Sequence, residues 1–370
     1  MQAEDRLKAL RRSLKASGID ALLVSGLANI RYLSGFSGSS AHILIADKQA
    51  FFFTDSRYES EVKGRLSKCF KVQIYKNSFV EILKRIEALG TGKLGIESGV
   101  FTVESFNRFK GLIASSPTKV GGLKIISTTG FVEGDRVVKD TSELDAIRAA
   151  IEVSKRGFAS IERVGLLGRS EREVAFAVEM AVRRPRAKGD VAEAMGFETI
   201  VASGKLGAKP HAVPTDKVIK SGELVTIDMG VSLNGSLSDE TRTYGVGKLS
   251  KRHREIYATV KDAHDRAIDS VRAGVKAKKV DAAARACIKK AGFGKYFGHG
   301  TGHGVGIDVH ELPYISPKSD TVLRAGMVIT IEPGIYIPDF GGVRIEDMVL
   351  VKDDGFEVLT DSSKKELRIL

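Results

Sequence analysis

Tryptophan is absent from the 370 residues, cysteine occurs twice, and only seven residues are histidine. Cys69 and Cys287 lie far apart and neither has a Cys-x-x-Cys partner, which excludes a disulfide framework and a thiolate metal site. A reducing, cytoplasmic setting fits that usage. No apolar run approaches the roughly 18 residues that a spanning helix needs, so no membrane association is expected. The first fifteen residues carry Leu7, Leu10 and Leu14 at helical spacing among charges, and no apolar stretch follows to make a secretory signal. Low-complexity segments and tandem repeats are also missing.

What is present is an ordinary globular composition, 42% hydrophobic and 28% charged, in a chain long enough for two cores. The net charge of +12 raises the question of an anionic partner. Its basic clusters, Arg183–Lys188, Lys251–Arg254 and Lys276–Lys279, are scattered and lack interleaved aromatics. They read as solvated faces, and no nucleic-acid partner is expected.

The segments IDALLVSG, AHILIAD, AFFFTD and LGIES read as strands, with helical stretches such as VEILKRIEAL among them, so the first part is α/β. A long helix then follows, with Ser142 and Asp145 as its capping box and Leu144, Ile147, Ile151, Phe158 and Ile161 as its apolar stripe. A second helix starts at Ser170 with Glu173 as box partner. Strand patterns return from residue 197, interrupted by a helical stretch from 252 to 291, and make the second part α+β.

The chemistry lies in acids placed on apolar strands, where a carboxylate is costly to bury. Asp228 sits in VTIDMGV, and the turn signal Asn234-Gly235 places it opposite Thr241, with Asp239 diagonal on the same face. Glu332 and Glu346 flank a second turn centred near Asp339, where Pro333-Gly334 could insert a bulge and shift the register. One such acid would read as an exposed strand residue. Two matched hairpins bring like charges together, and divalent cations are the usual resolution.

Four of the histidines lie in PHAVPT and GHGTGHGVGIDVHE. His299 and His303 have the spacing of a zinc-protease helix, but the alternating glycines forbid a helix there. Four carboxylates and one imidazole form an oxygen-rich set that favours manganese, cobalt or iron over a thiolate-type zinc site, and the set suggests a two-metal hydrolase.

In order and spacing, TIDMG, SDETRT, GHGTGHGVG, TIEPG and RIED resemble the pita-bread metallopeptidases of the M24 type, in the Xaa-Pro branch of aminopeptidase P and prolidase. NIRYLSGFSGS and FFFTDSRY resemble the creatinase-like N-terminal domain of that branch. The resemblance implies an α/β creatinase-like domain at 1–128 and an α+β pita-bread catalytic domain at 129–370. It further implies that Asp228 and Asp239 bind one metal, that His303 and Glu332 bind the other, and that Asp239 and Glu346 bridge them. The two ions would be manganese first, with cobalt, iron or zinc as alternatives.

Glu332 would shuttle the proton, and His211 and His310 would contact the substrate and stabilise the tetrahedral intermediate. His299 and Arg344 are candidates for substrate binding; for Arg344 the alternative is a plain strand arginine paired with Glu346 or Asp347. The implied substrate is a peptide with proline in second position, and the implied assembly is a homodimer. A pita-bread binding protein for a nucleic-acid or protein partner is the alternative function. A metal-free amidinohydrolase predicts missing ligands at positions where all five are present.

Overall fold

The computed structural model describes residues 3–66, 68–115, 122–184, 191–360 and 366–370; residues 185–188 of the first basic cluster lie outside them. Packing divides the chain into two compact units, Met1–Arg136 and Val137–Leu370. The helix Phe131–Arg136 falls in the first.

The first unit holds one six-stranded mixed sheet. Its centre is antiparallel, with Ala21–Val24, Ala41–Ala46 and Ala50–Asp55 side by side, and parallel partners extend it at both edges. Ala21–Val24 is buried at every position, as expected for a strand covered on both faces. Phe79, Ile82, Leu83 and Ile86 of the helix Ser78–Ala88 pack with Phe109 against Leu23, Leu44, Phe51 and Phe53. The N-terminal helix Ala3–Ala16 buries Leu7, Leu10 and Leu14, the stripe its spacing predicts.

The second unit is built from two halves on one plan, in which a helix pair precedes a hairpin. Thr141–Val164 and Glu171–Arg183 pack on the hairpin whose main strands are Leu224–Met229 and Glu240–Gly245. Lys251–Asp269 and Ala277–Lys290 pack on the hairpin that runs from Val328–Ile331 to Asp347–Lys352. The expected single helical stretch from 252 to 291 is therefore two helices, and the chain reverses between them at Gly274, whose φ of 84° suits glycine.

Strand alternation decides which face does what. Val225, Ile227 and Met229 join the helix-packed core, which leaves Thr226 and Asp228 on the opposite face. In the second hairpin Ile329, Ile331, Ile335, Val343 and Ile345 face their helices, and Thr330, Glu332, Arg344 and Glu346 face away.

The capping box of the first long helix differs from expectation. Asp140 is its N-cap: Asp140 Oδ1 accepts from Glu143 N at 3.0 Å, and Glu143 Oε2 accepts from Asp140 N at 3.0 Å. Ser142 Oγ donates to Asp140 Oδ1 at 2.6 Å and so does not serve the backbone. The box at Ser170 and Glu173 forms as read. Replacing Asp140 with alanine should lower stability by about 1 kcal/mol, and Ser142→Ala by less. Equilibrium urea unfolding of the two variants checks the order.

Candidate metal centre and active site

The Asn234-Gly235 turn has φ of 51° and 81°, the left-handed pair that a two-residue hairpin demands. It pairs Leu233 with Ser236 and, further along, Asp228 with Thr241, as read from the sequence. In the second hairpin Ile337 pairs with Gly341, Gly334 with Arg344 and Ile331 with Asp347. That register is continuous through Pro333-Gly334, so no bulge shifts it, and Glu332 stands across from Glu346. Asp339 at the centre takes φ 60°.

Hydrogen bonds between the hairpins set their acids against each other. Thr241 Oγ1 donates to Glu346 Oε2 at 2.6 Å, and Glu346 N donates to Thr241 O at 3.1 Å. Arg344 crosses between them: Nε donates to Thr241 Oγ1 at 3.0 Å and Nη2 to Asp228 Oδ2 at 2.6 Å. Its partner is thus Asp228, not Glu346 or Asp347. Asp347 instead pairs with Arg242 at 2.6 Å.

His303 enters from the glycine-rich segment, as part of the short strand Gly302–Gly304 and not a helix. The ladder with the following strand shifts register between Gly302 and Gly304, a local irregularity of the kind that re-aims a side chain. Its Nε2 lies 3.4 Å from Glu332 Oε1 and 3.7 Å from Asp239 Oδ2. Ligand atoms of Asp239, His303 and Glu346 all lie within 4.8 Å of one another.

This arrangement is unfavourable without a cation. Burial, then the charges of Asp228 and Glu332, push the Asp239 carboxyl well above its ordinary range. Glu346 is pushed well up by burial, then by Asp239, Glu332 and Asp228. Burial raises Glu332 to about 7, against the opposing charge of Arg344. Burial also lowers His303 to about 4, which keeps its imidazole neutral and able to ligate. Asp228 Oδ1 is buried with no hydrogen-bond partner among the described residues. An orphaned buried oxygen among crowded carboxylates fits a divalent ion, which supplies the missing charge and the missing contact.

A cavity of about 710 Å³ opens over these groups. Every residue singled out in the sequence lines it: Asp228, Asp239, His303, Glu332 and Glu346 as metal candidates, with His211, His299, His310 and Arg344 around them. The rings of His303 and His310 meet edge-on at 4.3 Å. His299 Nδ1 donates to Gly300 O at 2.7 Å, so Nε2 accepts from Tyr336 OH at 3.0 Å, and that hydroxyl accepts from Arg344 Nη1 at 3.0 Å. The sequence reading did not include Tyr336, nor the hydrogen bonds by which Thr241 holds Glu346 and Arg344. Parity along the strands was the available signal, since Tyr336 shares its face with Glu332 and Thr241 stands opposite Asp228.

The description of metallopeptidase family M24 matches residues 145–353. The chain is 38% identical over 364 residues to an Xaa-Pro dipeptidase of Pyrococcus furiosus, covering 98% of this chain and 99% of that protein. The chain belongs to metallopeptidase family M24.

The Creatinase/Prolidase N-terminal domain matches residues 6–138, so the fold is a creatinase-like domain followed by a pita-bread catalytic domain. Among solved structures, an Xaa-Pro dipeptidase from Bacillus anthracis is similar at TM-score 0.93 and 37% identity, covering 100% of both chains. An X-Pro aminopeptidase from Thermotoga maritima is similar at TM-score 0.87 and 34% identity, covering 98% of this chain and 99% of that one. As an M24 metallopeptidase the chain works with divalent metal, for which the cluster of Asp239, His303 and Glu346 is suited.

Because burial raises Glu332 from its ordinary 4.5 to about 7, the folded metal-free protein holds a proton there that the unfolded chain has released. That contribution to stability is complete below 4.5 and is lost as pH rises through 7. The melting temperature of metal-free protein should therefore fall between about pH 5 and about pH 7.5, less steeply in Glu332→Gln, and a saturating divalent ion should offset the fall. Scanning calorimetry with and without metal checks all three.

Proposed function

We propose that this chain is an Xaa-Pro aminopeptidase, which removes the first residue from peptides whose second residue is proline. Arg344 carries the choice of longer peptides over dipeptides. Its donors are engaged by Thr241, Asp228, Tyr336 OH and Pro210 O, the last at 3.1 Å. No other lysine or arginine among the described residues lines the cavity. An Xaa-Pro dipeptide would bring a proline carboxylate into a cavity whose lining offers it no second guanidinium or ammonium as a partner, whereas a longer peptide presents a neutral amide there. The cavity also has an apolar rim for peptide to lie on, with Val213 66% and Tyr314 51% exposed.

In this reading Asp228 and Asp239 would hold one ion and His303 and Glu332 the other, with Asp239 and Glu346 available to both. Manganese is the first choice for so oxygen-rich a set, with cobalt, iron and zinc after it. Bound there, two such ions supply Lewis acidity and an acidified water. Glu332, 3.4 Å from His303, accepts the proton of the attacking water and returns it to the proline nitrogen. The exposed His211 and His310 donate to the scissile carbonyl oxygen as it gains charge. A proline nitrogen carries no N–H, so the site needs no acceptor for one, and apolar wall residues such as Ile200 and Val309 are suited to the ring.

A homodimer in the cytoplasm completes the proposal; the chain has only two cysteines, far apart in sequence, and no helix among the described residues is long and apolar enough to cross a membrane. Dipeptidase action is the second reading, favoured by the names of the Pyrococcus and Bacillus relatives.

Mass spectrometry of products from manganese-loaded protein decides between them. Chelator-sensitive release of the first residue should be faster on an Xaa-Pro-containing hexapeptide than on the dipeptide by about tenfold in kcat/KM, the equivalent of about 1.4 kcal/mol. Preference for the dipeptide would transfer the assignment to prolidase; cleavage of neither with metal bound would overturn both. His303→Ala and Glu346→Ala should each abolish turnover while leaving the far-ultraviolet circular dichroism unchanged.

A further inference from the structure

From 298 to 306 the chain has glycine at every second position. Such a segment has few side chains to pack and loses the most backbone entropy on ordering, yet it carries His299 and His303. Close backbone packing explains part of how it is held. A Cβ at Gly302 would stand 1.9 Å from Thr330 O, and one at Gly304 2.2 Å from Leu312 O, so neither position admits a side chain. With a third at Gly300, whose Cβ would stand 2.9 Å from Ile315 O, these approaches confine residues 300–304, while at Gly298 nothing lies within 4 Å.

A further restraint comes from the helix Ala277–Lys290, which lines no part of the cavity. Asp281 on that helix is only 1% exposed. One turn later Arg285 meets it in a fork, with Nε at 2.9 Å from Oδ2 and Nη2 at 2.8 Å from Oδ1. The same guanidinium donates to Phe297 O at 3.1 Å and to His299 O at 2.8 Å, and it lies 4.3 Å over the Phe297 ring. Asp281 Oδ1 accepts from Thr301 Oγ1 at 2.9 Å. Phe297, His299 and Thr301 are thus tied to one pair of charges on a rigid element. Thr301 passes the restraint on, because its carbonyl accepts from Glu332 N at 2.7 Å and its own N–H donates to Ile315 O at 2.7 Å.

An exposed ion pair at this helical spacing contributes little to stability. Here one partner is buried, and both charges have loop groups as further partners, which fixes geometry more than it adds energy. We propose that Asp281 and Arg285 are positioning residues that hold the glycine-rich segment so that His303 stays among the metal-binding acids and His299 stays against Tyr336. The proposal rests on the reading of His303 as a metal ligand.

Calorimetric titration of the metal-free protein with manganese tests it in Arg285→Met, Arg285→Lys, Thr301→Val and His303→Ala. Arg285→Met should weaken one of the two binding events by ten- to a hundredfold, as loss of a ligand-orienting partner does, and leave the other within about twofold. Arg285→Lys should not restore it, since an ammonium cannot fork to Asp281 and reach two carbonyls. Thr301→Val keeps the shape, removes a single hydrogen bond and should weaken the same event, so it decides the matter if Arg285→Met does not fold. Full affinity in Arg285→Met and Thr301→Val, beside a loss in His303→Ala, overturns the clamp alone. A lowered melting temperature with undiminished binding of both ions also overturns it, as that is what a purely structural pair would give. Full affinity in His303→Ala overturns the ligand assignment and the proposal with it.

Discussion

Two hairpins with apolar residues on one face and acids on the other can each sit in only one register. A slip of a single residue in either would turn its carboxylates into a helix-packed core and its isoleucines into the cavity. The rest of the catalytic unit follows from that constraint. The helix pairs are needed to cover the apolar faces, the turns at Asn234-Gly235 and Asp339 fix the count, and the threonine and arginine bonds between hairpins bring the polar faces together. Four acids come together because the folding of everything around them leaves no other face available.

Behind the acids a second layer of charge repeats the arrangement in reverse. Glu240 and Asp347 immediately follow Asp239 and Glu346 and therefore point to the other side of the sheet. Both meet Arg242, at 2.7 and 2.6 Å, and the same guanidinium donates to Glu346 O and to Thr360 O. Asp347 also lies 3.2 Å from the ring of His264 and accepts from Thr360 Oγ1 at 2.7 Å. One half-buried arginine thus joins the two hairpins directly behind the residues that must stay close in front. Arg344 does the corresponding work on the cavity side.

What could be read from the sequence was whatever depends on local geometry. The Asn-Gly turn was enough to put Asp228 across from Thr241, and the acids around Asp339 were legible as a pair because a strand's period is two. Alternating glycines correctly ruled out a helix for His299 and His303. Partners distant in sequence were not legible: Arg344 was open between a substrate role and a pairing with its neighbours, and its bond to Asp228 spans 116 positions. Asp281 and Arg285 stand four apart on a helix, and nothing in that local spacing points to Phe297, His299 or Thr301. The N-cap at Asp140 was missed because a serine two residues later offered an equally good local pattern, and only the placement of the helix start separates the two. Strand order in the N-terminal sheet, with its antiparallel centre and parallel edges, likewise depends on contacts no local pattern encodes.

Arg344 also changes the charge arithmetic of the cavity. Four carboxylates alone would be neutralised by two divalent ions, but a guanidinium held at 2.6 Å from Asp228 is a permanent part of the same floor. Fully ionised, the floor carries an excess of three negative charges, which a single divalent ion does not cancel and a pair reverses to one positive. Loaded with two ions, a site of that sign would favour an oxygen that gains negative charge and would repel the protonated amine of a peptide's first residue unless that amine were held off the floor or had lost its proton. The fixed cation thereby biases the site toward the atoms that react.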